Sequence, residues 1–106
     1  MHPIISVVVP CLNAENYIDD CLKSVVNQRN CNYELIVIDG GSSDGTLEII
    51  DKYRDSIKIV ISEPDSGQSD AINKVLKYCS GVLFSWLNSD DYYIEGALEK
   101  VSRAYK

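Results

Sequence analysis

Four short runs of β-branched and apolar residues punctuate the chain: Ile4–Val9, Glu34–Asp39, Ile57–Ser62 and Val82–Trp86. Each is close to continuous in apolar residues. A strand with one wet face alternates polar with apolar; a strand covered on both faces does not. The runs therefore read as strands of a parallel sheet buried on both sides. Between them the apolar period becomes that of a helix. Ile18, Cys21, Leu22, Val25 and Val26 share one face. So do Ile49, Ile50 and Tyr53, and then Ile72, Val75, Leu76 and Cys79. A last segment, Gly96–Tyr105, sets Ala97, Leu98, Val101 and Tyr105 on an apolar stripe. The order βαβαβαβα predicts an α/β fold with right-handed crossovers.

The 106 residues suit one domain, with no linker, low-complexity segment or repeat beyond the βα unit. A formal charge of −6 argues against nucleic acid and anionic membrane surfaces as partners. Phosphate ligands stay open, because a divalent cation can bridge acids to phosphates. No apolar run reaches the ~18 residues of a transmembrane helix. The start lacks the basic segment of a signal peptide. Cys11, Cys21, Cys31 and Cys79 form no C-x-x-C pair and no zinc spacing, and read as free thiols of a reducing cytoplasm.

In open parallel sheets ligands bind beyond the carboxyl ends of the strands. The segments that follow the four runs are "PCLNAENY", "DGGSSDGT", "EPDSGQSDAIN" and "NSDD". Of the 16 acids, 7 lie in the last three. Each segment also has a plain structural use. Asp44 or Ser43 can cap the second helix, Ser69 or Asp70 the third, and Gly40 and Gly41 can serve a turn. Asp90–Asp91 is different, since a cap needs one acid. Two adjacent carboxylates at a strand end disfavour each other's ionisation unless a cation relieves them. Oxygen donors with open positions suit Mg²⁺ or Mn²⁺ carrying a diphosphate.

Related architectures leave signatures that are missing. There is no G-x-G-x-x-G for a dinucleotide fold and no G-K-[ST] for a P-loop. A receiver-type phosphoacceptor domain would need its acid pair after the first strand, where Pro10 and Cys11 stand.

The blocks "SVVVPCLNAENYIDDCLKSVVNQ", "YELIVIDGGSSDGT", "EPDSGQSDAINK" and "GVLFSWLNSDDYY", in this order, resemble the nucleotide-binding half of inverting family 2 glycosyltransferases of the GT-A fold. The resemblance implies a Rossmann-like four-stranded parallel sheet of order 3-2-1-4 flanked by helices. It implies transfer of a sugar from a nucleoside diphosphate to an acceptor hydroxyl. Pro10, Asn13, Glu15, Asp39 and Asp70 would border the nucleotide; Asp90 would lie toward the ribose, and Asp91, with Asp90, would bind Mg²⁺ or Mn²⁺. Asn88 and Gly40 depart from the family pattern, each standing where many relatives carry an aspartate. Ile72 and Val75 replace an arginine and a glycine of the third helix. The family's catalytic domain is about twice as long, so residues 1–106 are expected to be its donor half. The acceptor site and the general base would then lie outside, leaving this chain alone inactive. Two other readings share the architecture: a non-catalytic nucleotide-sugar-binding module, and a nucleotidyltransferase-like enzyme. A cytoplasmic site is expected, at the inner membrane face in a longer parent. The fourth strand would present a bare apolar edge, which predicts a homodimer.

Overall fold

The computed structural model describes residues 4–64, 73 and 75–105, with no account of the Tyr105 side chain. Four strands form one parallel sheet: β1 (Ile5–Cys11), β2 (Tyr33–Asp39), β3 (Ile59–Ser62) and β4 (Leu83–Trp86). Their order is β3-β2-β1-β4, as expected. The helices whose bounds are described are α1 (Ile18–Val26), α2 (Thr46–Asp51) and α3 (Ala97–Tyr105), with a 3₁₀ turn at Arg54–Ser56, and Asn73, Val75 and Leu76 are also helical.

The two central strands are buried throughout their middles. Val7, Val8, Val9, Ile36 and Val37 are each 0% exposed. The expectation of burial on both faces fails for β3 and β4, whose residues are half-buried or exposed. They are the edges of the sheet, and an edge strand has a neighbour on one side only. On one face Val7, Val9, Leu35 and Val37 pack against Ile18, Leu22 and Val25 of α1, Ile50 of α2 and Leu98 of α3. The opposite face gathers Val8, Ile36 and Ile38 beneath Val75, with Tyr78 and Trp86 beside them.

β1 runs two residues further than its apolar run and takes in Pro10. A proline in a central strand would normally cost a ladder bond. Leu87 donates its N–H to the Val8 carbonyl, so the even residues of β1 face β4. The β1–β4 pairing ends at Val8↔Trp86, and the missing N–H of Pro10 falls past it. The same alternation turns Leu83 and Leu87 of the β4 segment toward β1 and leaves the backbone of Phe84 and Trp86 on the free edge.

Two helical stripes are corrected. On α3, Leu98 is 2% exposed but Val101 is 48% exposed, and Ser102 faces inward instead. Leu98 and Ser102 lie one turn apart on the buried side, and Val101 falls off it. In the third stripe Val75 is buried while Leu76 is 53% exposed; Ile72 lies outside the described residues. None of the four cysteines, all of them described, is in a disulfide.

At the amino end of the sheet a polar cluster ties the strands together. The Glu34 carboxylate accepts from Lys58 Nζ (2.8 Å), Ser80 N–H (2.7 Å), Ser80 Oγ (2.8 Å) and Ser6 Oγ. Ser6 Oγ in turn accepts the Gly81 N–H at 2.8 Å. Position 81 needs glycine, since a Cβ there would sit 2.6 Å from the Ser6 nitrogen.

Candidate functional site

The carboxyl ends of β1, β2 and β4 form one rim. Asp39 ends β2 and is 0% exposed. Its Oδ2 accepts the N–H groups of Gly41 (3.1 Å) and Ser42 (2.8 Å) and the Ser62 hydroxyl (3.0 Å). Its Oδ1 accepts the Ser42 hydroxyl and a long contact from Cys11 Sγ. Burial pushes its carboxyl up, but the donors of Ser42, Ser62 and Gly41 outweigh burial and hold it below the usual aspartate range. Asp39 is therefore an ionised bracket for the loop after β2. Gly41, at φ 95°, supplies the left-handed turn that brings the loop back over that carboxylate.

The loops after β1 and β2 clasp each other. Asn13 donates its N–H to Ser42 Oγ (2.8 Å), and its side-chain oxygen accepts the Ser43 N–H (2.8 Å). Asn13 sits at φ 49°, a region that asparagine tolerates better than most residues. Glu15 donates its N–H to Asp44 and accepts the Gly45 N–H at 3.0 Å. Thr46 Oγ1 accepts the Ala14 N–H at 2.8 Å from a fully buried position. Asp44 accepts the Thr46 N–H at 2.9 Å from the position before the cap; the N-cap of α2 is Gly45, so neither Asp44 nor Ser43 is the N-cap expected from that loop. The Thr46 hydroxyl bond, followed by its backbone N–H, holds the Asp44 carboxyl below its ordinary value.

After β4 the chain turns at Asn88–Asp91, where Asp91 donates its N–H to the Asn88 carbonyl. Asp90 and Asp91 are exposed. Asp91 Oδ1 accepts the Tyr92 N–H at 2.8 Å, which fixes that carboxylate against its own backbone. Two buried thiols lie beneath the rim. Burial, then Asp91 and Asp90, push Cys21 up to about 12. Burial and Asp39 raise Cys11 further still.

Of the residues singled out from sequence, Asn13, Glu15 and Asp39 are brought into one hydrogen-bonded unit through Ser42, Ser43 and Gly45. Pro10 is half-buried in β1. Asp90 and Asp91 share the rim but make no direct contact with that unit among the described residues. Asp70 lies outside the described residues. Ser62 and Thr46 received no role from sequence. Thr46 had a visible signal, a hydroxyl residue at the start of a helix after a Gly/Ser/Asp loop; Ser62 had none, since its partner is set by the β2–β3 register.

No group of three or more His, Cys, Asp or Glu side chains converges on a metal position among the described residues. Asp90 and Asp91 could offer carboxylate oxygens alone, a donor set that fits a hard divalent cation completing its shell with diphosphate and water.

The model of Glycosyl transferase family 2 matches residues 6–106. The chain belongs to that family. Among curated relatives it is 39% identical, over 91% of its length and 38% of the relative's, to the UDP-Glc:alpha-D-GlcNAc-diphosphoundecaprenol beta-1,3-glucosyltransferase WfgD of Escherichia coli. Among solved structures it is similar to S. aureus TarS 1–349 in complex with UDP-GlcNAc, with TM-score 0.86 and 31% identity over 94% of this chain and 30% of that one. Glucosyl-3-phosphoglycerate synthase of Mycobacterium tuberculosis, in complex with Mn²⁺, UDP and glucosyl-3-phosphoglycerate, matches with TM-score 0.68 and 28% identity, over 85% and 36% of the two chains. This family 2 chain spans 10–40% of the length of the curated relatives it matches. Its sheet, of order β3-β2-β1-β4, is that of an N-terminal fragment of a family 2 GT-A fold.

Proposed function

We propose that residues 1–106 form the donor-binding half of an inverting glycosyltransferase that takes a sugar from a nucleoside diphosphate and delivers it to an acceptor hydroxyl. The observation that carries this reading is the exposed Asp90–Asp91 pair at the end of β4, on the same rim as the clasped loops of β1 and β2. Asn13, Glu15 and Pro10 border the nucleoside. Asp39 serves that site by holding residues 41 and 42 in place, because its oxygens are already engaged. Asp91, with Asp90 beside it, holds Mg²⁺ or Mn²⁺ on the diphosphate. When bound, the cation neutralises charge that develops on the departing diphosphate. The relatives support this donor class: one is named for UDP-Glc, and two of the structures contain UDP-GlcNAc or UDP with Mn²⁺. Membership of the family favours this over the nucleotidyltransferase-like alternative. A cytoplasmic site suits a nucleotide-sugar donor; among the described residues no helix is long and apolar enough to cross a membrane.

Calorimetry with UDP tests the reading. The wild-type chain should bind UDP more tightly in Mn²⁺ than in EDTA, and Asp91→Ala should abolish that difference. Equal binding with and without metal in the wild-type chain, or an undiminished difference in Asp91→Ala, would overturn it.

A further inference from the structure

The loop that carries Asp90 and Asp91 is exposed and short of regular structure, yet its backbone is gripped from one direction. Cys21, Ser24 and Gln28 recur at helical spacing along α1 and its closing turn, beside the apolar stripe Ile18, Leu22 and Val25. Cys21 Sγ lies 3.7 Å from the Asn88 carbonyl, just before the acid pair. Ser24 Oγ accepts the Tyr93 N–H at 2.9 Å, just after it. Gln28 is 7% exposed and uses both ends of its amide. Its Nε2 donates to the Ile94 carbonyl (2.9 Å) and to the Ser24 carbonyl (3.1 Å). Its Oε1 accepts the Leu98 N–H at 3.0 Å.

The Leu98 N–H is one of the donors that the first turn of α3 cannot satisfy within the helix. Gln28 therefore caps α3 from 70 residues away in sequence, and the same amide holds the carbonyl two residues beyond Tyr92. A buried amide with three of its four hydrogen bonds made in fixed directions has little freedom to move. Asp91 has no such anchor of its own, since its carboxylate bonds only to the neighbouring Tyr92 N–H among the described residues.

We infer that Gln28 is a positioning residue: by clamping Ile94 and Leu98 to α1, it sets the Asn88–Ile94 loop in the arrangement in which Asp91 can engage a cation carried by a nucleoside diphosphate. The inference rests on the donor-binding reading above. Gln28 itself touches neither nucleotide nor metal. Its contribution is to spare the acid loop an ordering cost at the moment of binding.

The test uses Gln28→Met, close in volume but without the amide, and Ser24→Ala, which removes the acceptor of the Tyr93 N–H from the same helix. Two readouts are taken on the 106-residue chain. In the absence of ligand, amide hydrogen exchange at Tyr93 and Leu98 should speed by about tenfold or more in Gln28→Met, with exchange at Val8 and Ile36 unchanged. With UDP as the probe, affinity in Mn²⁺ should fall by about tenfold while affinity in EDTA stays at the wild-type value. Ser24→Ala should move both readouts in the same direction. Unchanged exchange at Leu98, or an equal loss of UDP affinity with and without Mn²⁺, would overturn the inference. If the wild-type chain shows no difference between Mn²⁺ and EDTA, the donor-metal reading fails, and the clamp then stands or falls on the exchange measurement.

Discussion

Replacing Glu34 with glutamine should cost stability in a way that depends on pH and leaves the rim untouched. Glu34 is the second residue of β2, and Asp39 closes it; five residues of strand put them about 17 Å apart. Burial pushes the Glu34 carboxyl up, but bonds from Lys58, Ser6 and Ser80 outweigh burial and bring it from 4.5 to about 2. At about 1.4 kcal/mol per tenfold in proton affinity, that difference amounts to about 3 kcal/mol. Lys58 remains 43% exposed, and water screens its share, which lowers the figure to about 2 kcal/mol. The folded value is depressed, so this stability is fully present above about pH 4.5. It is lost as the pH falls from there toward 2, where the folded carboxylate also takes up its proton. Urea unfolding of wild type and Glu34→Gln from pH 7 to pH 2.5 measures it. The wild-type chain should be more stable by about 2 kcal/mol at pH 7, with the gap closing through the acid range. UDP affinity at pH 7 should be the same in both. A gap of equal size at pH 7 and pH 2.5 would show that the carboxylate's charge contributes nothing. A loss of UDP affinity would refute the separation of the two ends of the sheet.

The thiols give a further expectation. Cys11 and Cys21 are buried and their ionisation is pushed well above neutral pH, so iodoacetamide at pH 8 should alkylate Cys31 and Cys79 first, with Cys11 and Cys21 labelled only in urea; mass spectrometry showing early labelling of Cys21 would contradict its placement under the acid loop. The free edge of β4, with Val82 62% and Phe84 44% exposed, should drive the 106-residue chain to self-associate at high concentration. Phe84→Pro removes a backbone donor that points away from β1 and should restore the monomer in light scattering; a wild-type chain monomeric throughout would refute this.

Much of the architecture was legible from residue order alone. Continuous apolar runs separated by 3.6-period segments specify a parallel sheet with helices, and the place of each strand in the chain follows from them to within about two residues. The acid pair after the fourth run was legible for the same reason, since charge at the end of an apolar strand has few purely structural uses. The resemblance supplied the strand order, which periodicity cannot give. Tertiary structure decided the rest, because it depends on which neighbours the topology provides. Val101 and Leu76 look like core residues by spacing and are exposed, while Ser102 is buried, because packing selects one side of each helix more narrowly than the apolar stripe does. Asp39 reads in sequence as a ligand-facing acid; the β2–β3 register and the turn at Gly41 surround it with donors from its own chain. Gln28 reads as an ordinary polar residue after a helix. It acquires its partners only when the crossover places α1 alongside the segment from Tyr93 to Leu98, a contact between residues far apart in the chain that no local pattern encodes.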